Sequence, residues 1–549
     1  MPCQDLAEVG TDALKDVAKG ACEASGLEDK DVCDGLVDQQ MPTIADVLRN
    51  TTGTGYAAQL FCANIVGICP YPALENRTLT FPPAAPSSQS PPSTDEAYLT
   101  VIHLSDWHYD PLYQAGTEAQ CTKPLCCRGF NATTPDKAAI PASQWGAYEC
   151  DTPLALGISA LQSIEPIIGA SPDFSIFTGD LPPHDVWMTS EQGVTSIASL
   201  SCQLFKQYLK TKVYPAIGNH ETSPVNLNSI PFPPTNQYLF NNLTLDDWVD
   251  WLDEDALNFA RTNRGSYATN PVPGMKIINV NSNFCYVDNF WLYGDWVETD
   301  PTGQLAWLAD ELAVAETAGE KVWIIMHVAT GLSDCLRNWS NLHDQIIKRF
   351  HKTIVGVFSG HTHRDEYELF WSDDSDKTHA NAIVMNWIGP SVTPFTQLNP
   401  GWREYKVHPT TFEIMESYTY IANLSLASAW DEQVIEPEWF LEYSAREYLP
   451  SWPHDAPLNA TFWALVTAAF EDNDALWQEF YQYRSKSGPE AEGGCSGVCK
   501  TDIINGLRSG NSVTAIHSSS FGPAEPHKAI EAPESKPWTK GLCRLHTHH

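Results

Sequence analysis

Basic residues are scarce in this chain: 32 Lys and Arg stand against 68 Asp and Glu, a formal charge of −36 with His neutral. A nucleic-acid binder needs basic surface to displace counterions, so this balance argues against that class. The acidity reads first as solvated surface, and second as adaptation to an acidic compartment, where carboxylate protonation lowers self-repulsion. Long apolar runs are also missing, and no stretch reaches the ~20 residues that span a bilayer. The start carries no export signal, because Met1-Pro2-Cys3 leads straight into a polar amphipathic segment. Internal repeats are absent. Cysteine, by contrast, is plentiful: 15 residues, many closely spaced, point to an oxidising compartment. Asn-x-Ser/Thr acceptors at Asn50, Asn76, Asn131, Asn242, Asn338, Asn423 and Asn459 agree with a secreted glycoprotein. A disulfide-rich chain without a leader is contradictory, and an incomplete N-terminus is the expectation that resolves it.

The length of 549 residues allows several domains, and 43% hydrophobic residues with 19 Trp predict well-packed structure. Residues 1–72 form a small helical module. Leu6, Val9, Ala13, Leu14, Val17 and Ala21 recur at helical spacing. Val32, Leu36 and Val37 mark a second helix, and Pro42 suits the first turn of a third, with Ile44, Val47 and Leu48 inward. A fourth covers Tyr56 to about Ile65. Cys3, Cys22, Cys33, Cys62 and Cys69 punctuate these helices. The module resembles a saposin-type domain, a disulfide-stapled leaf that opens onto lipid. That resemblance implies Cys22–Cys33 and Cys3–Cys62 pairs and leaves Cys69 without its partner. Residues 73–97 are a Pro/Ser-rich linker. From 98 to about 425, short β runs alternate with helical stretches such as Pro301–Ala318, where Leu305, Leu308, Leu312 and Val314 face inward. Residues 426–508 read as an aromatic-rich helical C-terminal domain, and 509–549 as a disordered tail.

Five apolar runs end in metal-capable side chains. Leu99–Leu104 leads to Asp106 and His108, Phe174–Phe177 to Gly179-Asp180, and Val213–Ile217 to Gly218-Asn219-His220. Val322–Ile325 leads to His327, and Ile354–Phe358 to Gly360-His361-Thr362-His363. Strands that deliver ligands from their C-terminal ends build a site along a sheet edge. Side chains at i and i+2 of an extended end point the same way, so Asp106 with His108, and His361 with His363, can each reach one cation. The glycines let the backbone turn tightly beneath the site. Carboxylate, imidazole and amide oxygen without thiolate suit Zn, Mn or Fe better than Ca or Mg. His184 follows Asp180 by four residues in a loop stiffened by Pro182 and Pro183. His184 and His220 are the candidates for leaving-group acid and phosphate stabiliser, in either assignment, with a His184 that only packs or binds Asp185 as the bland alternative. His103, His343, His351, His379 and His408 match no motif, and Ser105 and Ser359 read as structural.

The order D-x-H, G-D, G-N-H, a lone His and G-H-x-H resembles the calcineurin-like metallophosphoesterases. The resemblance implies a layered α/β β-sandwich flanked by helices. In it, Asp180 bridges two metals; Asp106, His108 and His363 hold one, and Asn219, His327 and His361 the other. It further implies a metal-bridging hydroxide as nucleophile, with the metals ~3.5–4 Å apart. Purple acid phosphatases carry a Tyr three residues after the bridging Asp; Pro183 stands there in this chain, which disfavours a Tyr-ligated ferric site.

Leu104–Asp110, Pro124-Leu125-Cys126-Cys127-Arg128, Gly179–Trp187, Tyr214–Glu221 and Asn399–Arg403, in a chain ordered as saposin module, linker, phosphoesterase and helical end, resemble the acid sphingomyelinase family. The resemblance implies hydrolysis of sphingomyelin to ceramide and phosphocholine with two Zn2+ ions, by a monomer whose saposin-type domain docks on the membrane holding the sphingolipid. It implies a secreted or lysosome-like acidic setting. It pairs Cys121–Cys126, Cys127–Cys150, Cys285–Cys335 and Cys495–Cys499, leaving Cys69, Cys202 and Cys543. After His327, Val328-Ala329-Thr330-Gly331 replaces the family's Pro-Pro-Gly turn. Two alternatives stand beside this reading: a related phosphodiesterase acting on soluble nucleotides or other phospholipids, and a catalytically inactive lipid-binding protein.

Overall fold

Each of the five apolar runs is a strand. The structure, a computed structural model, describes residues 10–515 except 27, 84–96, 131–137, 232–233 and 296. Cys3, Leu6, Val9, Asn131, Cys543 and most of the linker lie outside the described residues, as does the tail from 516 onward. The strands are β1 (Leu99–Leu104), β2 (Phe174–Phe177), β3 (Val213–Pro215), β4 (Tyr267–Thr269), β5 (Met275–Asn279) and β6 (Lys321–Ile325). They continue with β7 (Ile354–Ser359), β8 (Glu366–Trp371), β9 (Ala382–Ile388), β10 (Gly401–Val407), β11 (Ile414–Ala422) and β12 (Trp439–Ser444). Two six-stranded mixed sheets result, ordered β12-β11-β10-β1-β2-β3 and β4-β5-β6-β7-β9-β8.

The strands nearest the site are parallel: β1 with β2, β2 with β3, and β6 with β7. Both faces of β6 are buried, which is why it reads as an unbroken apolar run. Trp323 and Ile325 enter the core between the sheets, while Val322 and Ile324 pack outward under helices. Trp323 lies 5.9 Å from Phe174 of the opposite sheet and 4.3 Å from Phe358, ring centre to ring centre. Helices Gln304–Ala318 and Arg337–Phe350 cover the outer face of the second sheet.

Several expectations need correction. Val314 is 58% exposed, because the buried face runs through Leu305, Leu308, Leu312 and Ala315, and a residue two beyond Leu312 points the other way. Pro42 does not begin a helix; it lies inside one helix, Lys30–Arg49, which continues because Met41, Ile44 and Ala45 are all buried. Cys69 is not left over. The chain turns back at Gly67, whose φ is 69°, and Cys62 and Cys69 form a disulfide with Cα atoms 5.4 Å apart. Cys62 is therefore unavailable to Cys3. Cys22–Cys33, Cys121–Cys126, Cys127–Cys150, Cys285–Cys335 and Cys495–Cys499 are also bonded, and Cys202 is a buried thiol.

The aromatic stretch after 426 is not purely helical. Trp439–Ser444 is edge strand β12, antiparallel to β11. Trp463, Phe470, Trp477 and Phe480 from the following helices join the same buried cluster as Val101 and Trp323. At the other end, Lys30–Arg49 seats Val32 in a cluster with Leu125, Trp187 and Phe395. Gly35 is needed there for close approach: a Cβ would stand 2.2 Å from the Trp187 carbonyl oxygen. Leu79 and Phe81 also pack on the core, with Phe81 edge-on against Phe350 at 5.8 Å. No helix among the described residues is long and apolar enough to cross a membrane.

Candidate metal centre

The C-terminal ends of β1, β2 and β3 in one sheet and of β6 and β7 in the other meet at one rim. Asp106, His108, Asp180, His361 and His363 all adopt left-handed backbone, with φ between 40° and 74°. Non-Gly residues hold such conformations at a cost of about 1–3 kcal/mol each, and they collect where surrounding structure imposes them for function. Backbone bonds impose them here: the Trp107 and His108 amides donate to the Asp180 carbonyl, and the His361 amide donates to Asp106 Oδ1 at 3.0 Å. Only Gly179 of the three glycines has a positive φ, 99°. Gly218 and Gly360 serve close approach instead. A Cβ on Gly218 would meet Asp180 Oδ1 at 2.0 Å, and one on Gly360 would meet Ser105 Oγ at the same distance.

All seven candidate ligands converge, in two sets. In the first, His108 Nε2 and His363 Nε2 are 3.1 Å apart, Asp106 Oδ1 is 3.5 Å from His363 Nε2, and Asp180 Oδ2 is 3.5 Å from His108 Nε2. In the second, Asn219 Oδ1 lies 2.9 Å from His327 Nε2 and 3.0 Å from His361 Nδ1, and Asp180 Oδ2 lies 3.1 Å from His327 Nε2. Asp180 Oδ2 therefore belongs to both. All seven residues are buried.

The donors fit divalent cations. His108 Nδ1 donates to the Pro182 carbonyl at 2.7 Å, His363 Nδ1 to Phe395 at 2.8 Å, and His327 Nδ1 to Thr178 at 2.7 Å. An imidazole that donates outward turns a lone pair inward, so His108 and His363 aim two lone pairs at each other. That repulsive arrangement is relieved by a cation between the groups. Asn219 Nδ2 donates to Asn226 Oδ1 at 2.9 Å, which leaves its Oδ1 facing the site. Burial holds His108 and His363 well below the usual imidazole range, the deprotonated state a metal requires. Burial opposes ionisation of Asp180, yet its contact with His327 holds its carboxyl well below the usual range.

His184 and His220 line the same space, their ring centres 4.6 Å apart and 4.0 and 4.8 Å from that of His108. His220 Nδ1 faces the Pro183 carbonyl at 3.1 Å. His184 is held by Asp151. Its Nδ1 contacts Asp151 Oδ1 at 2.8 Å, and its amide donates to Asp151 Oδ2 at 2.6 Å. Asp185 instead pairs with Arg128, which also holds Asp110 through two nitrogens at 2.7 and 2.8 Å. Burial lowers His184 to about 3 and raises Asp151 to about 7. Asp151 carries no motif and lies 33 residues from His184, so nothing in the sequence pairs them. The Phe395 carbonyl has no residue signature either, because it is a backbone acceptor. His103, buried between Thr178 and Tyr405, supports the sheet. Ser105 donates to Asp106 Oδ2, and Ser359 to Asn386 Oδ1.

Residues 99–365 match the calcineurin-like phosphoesterase family. Sphingomyelin phosphodiesterase B of Dictyostelium discoideum is 34% identical over 90% of this chain and 77% of its own length. The chain belongs to the sphingomyelin phosphodiesterase family. The Bos taurus and Homo sapiens sphingomyelin phosphodiesterases are 37% and 36% identical, each over 73% of this chain, which spans 62% of their length. Sphingomyelin phosphodiesterase membership and the convergent donors agree on metal-dependent phosphoester chemistry.

Proposed function

We propose that this protein hydrolyses sphingomyelin to ceramide and phosphocholine at a membrane surface. The observation that carries the proposal is the pair of facing donor sets sharing Asp180 Oδ2. Asp106, His108, Asp180 and His363 would hold one Zn2+, and Asp180, Asn219, His327 and His361 the other; the nitrogen-rich, thiolate-free set suits zinc. Two bound cations supply Lewis acidity and bring the pKa of water down toward ~7. The chain's own groups do the rest. Cleavage of the phosphorus–oxygen bond to ceramide releases an alkoxide that must take a proton. His184 and His220 line the space beside the ligands from which one can be given, and the other can hydrogen-bond the phosphoryl oxygens. Asp151 orients His184 for that task. The helical N-terminus supports action at a membrane as a saposin-type domain: Val17 and Ile68 are 46% and 79% exposed, leaving apolar surface to meet lipid. Six disulfides among the described residues support an oxidising, secreted or lysosome-like setting.

The test is to strip metal with a chelator, restore Zn2+, and assay sphingomyelin in vesicles and a soluble nucleotide diester in parallel. Metal-dependent release of phosphocholine and ceramide is expected. Restored turnover of the nucleotide with none of sphingomyelin would contradict the proposed substrate, and no turnover of either would contradict an enzyme.

A further inference from the structure

Three of the four ligand imidazoles donate their outer nitrogen to a backbone carbonyl. His361 is different. It turns Nδ1 toward Asn219 Oδ1 and His327 Nε2, at 3.0 and 3.3 Å, and its outer Nε2 faces a side-chain carboxylate, Asp334 Oδ2, at 3.4 Å. Asp334 is not held by chance. Its carbonyl accepts from the Val287 amide at 2.8 Å, the Leu336 amide donates to the Cys285 carbonyl, and Tyr286 bridges to Cys335. The Cys285–Cys335 disulfide fastens these two segments together. From the other segment Tyr286 sets its ring edge-on to His361, 4.9 Å between centres at 79°. The disulfide-linked pair of loops thus grips the outer face of His361 with a carboxylate on one side and an aromatic ring on the other.

We propose that Asp334 is a positioning residue for the second metal, acting through His361. A carboxylate behind an imidazole fixes the tautomer, here with the proton on Nε2 and the lone pair on Nδ1. It also makes the ligating nitrogen a stronger donor, and loss of such a partner weakens metal binding ~10–100-fold. His361 depends on this more than its neighbours do, because their outer nitrogens meet backbone carbonyls while its own meets a side chain. The loop carrying Asp334 follows directly on the Val328–Gly331 segment, so this support belongs to the part of the chain that departs from the Pro-Pro-Gly pattern.

The inference rests on the two-metal reading, and the experiment separates the two. Metal-free full-length protein is titrated with Zn2+ against a coloured chelator, for the wild type, Asp334→Ala, Asp334→Asn and Asp334→Glu. Wild-type protein should take up two equivalents. Asp334→Ala should weaken one equivalent ~10–100-fold and leave the other unchanged. Asp334→Asn should fall between, because it keeps an acceptor and loses the charge, and Asp334→Glu should recover part of the loss. Thermal unfolding of the metal-free proteins is followed alongside. Two equivalents bound by Asp334→Ala with wild-type affinities would overturn the role of Asp334. Equal weakening of both equivalents, together with lowered stability of the metal-free variant, would overturn it too. Failure of the wild type to bind two equivalents would instead overturn the proposed two-metal site itself.

Discussion

Asp151 shows how much of this site depends on single contacts between distant segments. Its two oxygens take the ring nitrogen and the backbone amide of His184, and Thr393 adds a third bond at 3.1 Å. Asp151→Asn keeps the shape, removes the charge, and replaces one of the two oxygens that hold His184 with an amide nitrogen that cannot accept. It should lower kcat on a soluble phosphodiester ~10-fold or more while KM and both metals are retained, because a positioned acid contributes ~10²–10⁴-fold and only its orientation is lost. Unchanged kcat would show that His184 needs no such support. At this scale the ligands were legible in the sequence because each follows an apolar run within two to five residues. Asp151, the Phe395 carbonyl and Asp334 were not, because each is brought to its histidine only by folding.

Among the elements, the strands were easier to read than the helices around them. A doubly buried parallel strand is an unbroken apolar run, as β6 is from Val322 to Ile325. Strand β12 hid inside an aromatic stretch: it is an edge strand whose Phe440 and Leu441 are exposed, so no buried alternation marks it. The Lys30–Arg49 helix looked like two because of Pro42. Its contact with Trp187 and Phe395 links the N-terminal module to the site, since Trp187 lies three residues beyond His184 and the Phe395 ring packs 4.5 Å from that of His184. Gly35→Ala should therefore lower turnover of a soluble diester as well as of vesicles, because a methyl group must displace the helix or the Trp187 backbone. Wild-type rates on the soluble diester would show that this contact does not reach His184. For the same reason, deleting residues 1–72 would not separate lipid docking from catalysis, because it uncovers Trp187 and Phe395.

For the whole molecule, two sheets closing on one aromatic core set five loops at one rim, and disulfides fasten the loops and modules that surround it. The charge of −36 then bears on approach to a membrane, which is easier where carboxylates are partly protonated. In the proposed function the exposed side chains of Val17 and Ile68 would meet the lipid. Val17→Asp with Ile68→Asp should reduce hydrolysis of vesicle sphingomyelin at least several-fold and leave a soluble diester untouched. Equal rates on vesicles for variant and wild type would remove these residues from the membrane contact.

The shared oxygen of Asp180 is the centre of the account. The most direct measurement is the metal content and activity of wild-type protein and Asp180→Asn, each stripped and then titrated with Zn2+. Wild-type activity should return only as two equivalents bind, and Asp180→Asn should lose tight binding of both and turnover with them. Full activity at one equivalent, or two tightly held ions in Asp180→Asn, would contradict a two-metal site built on that carboxylate.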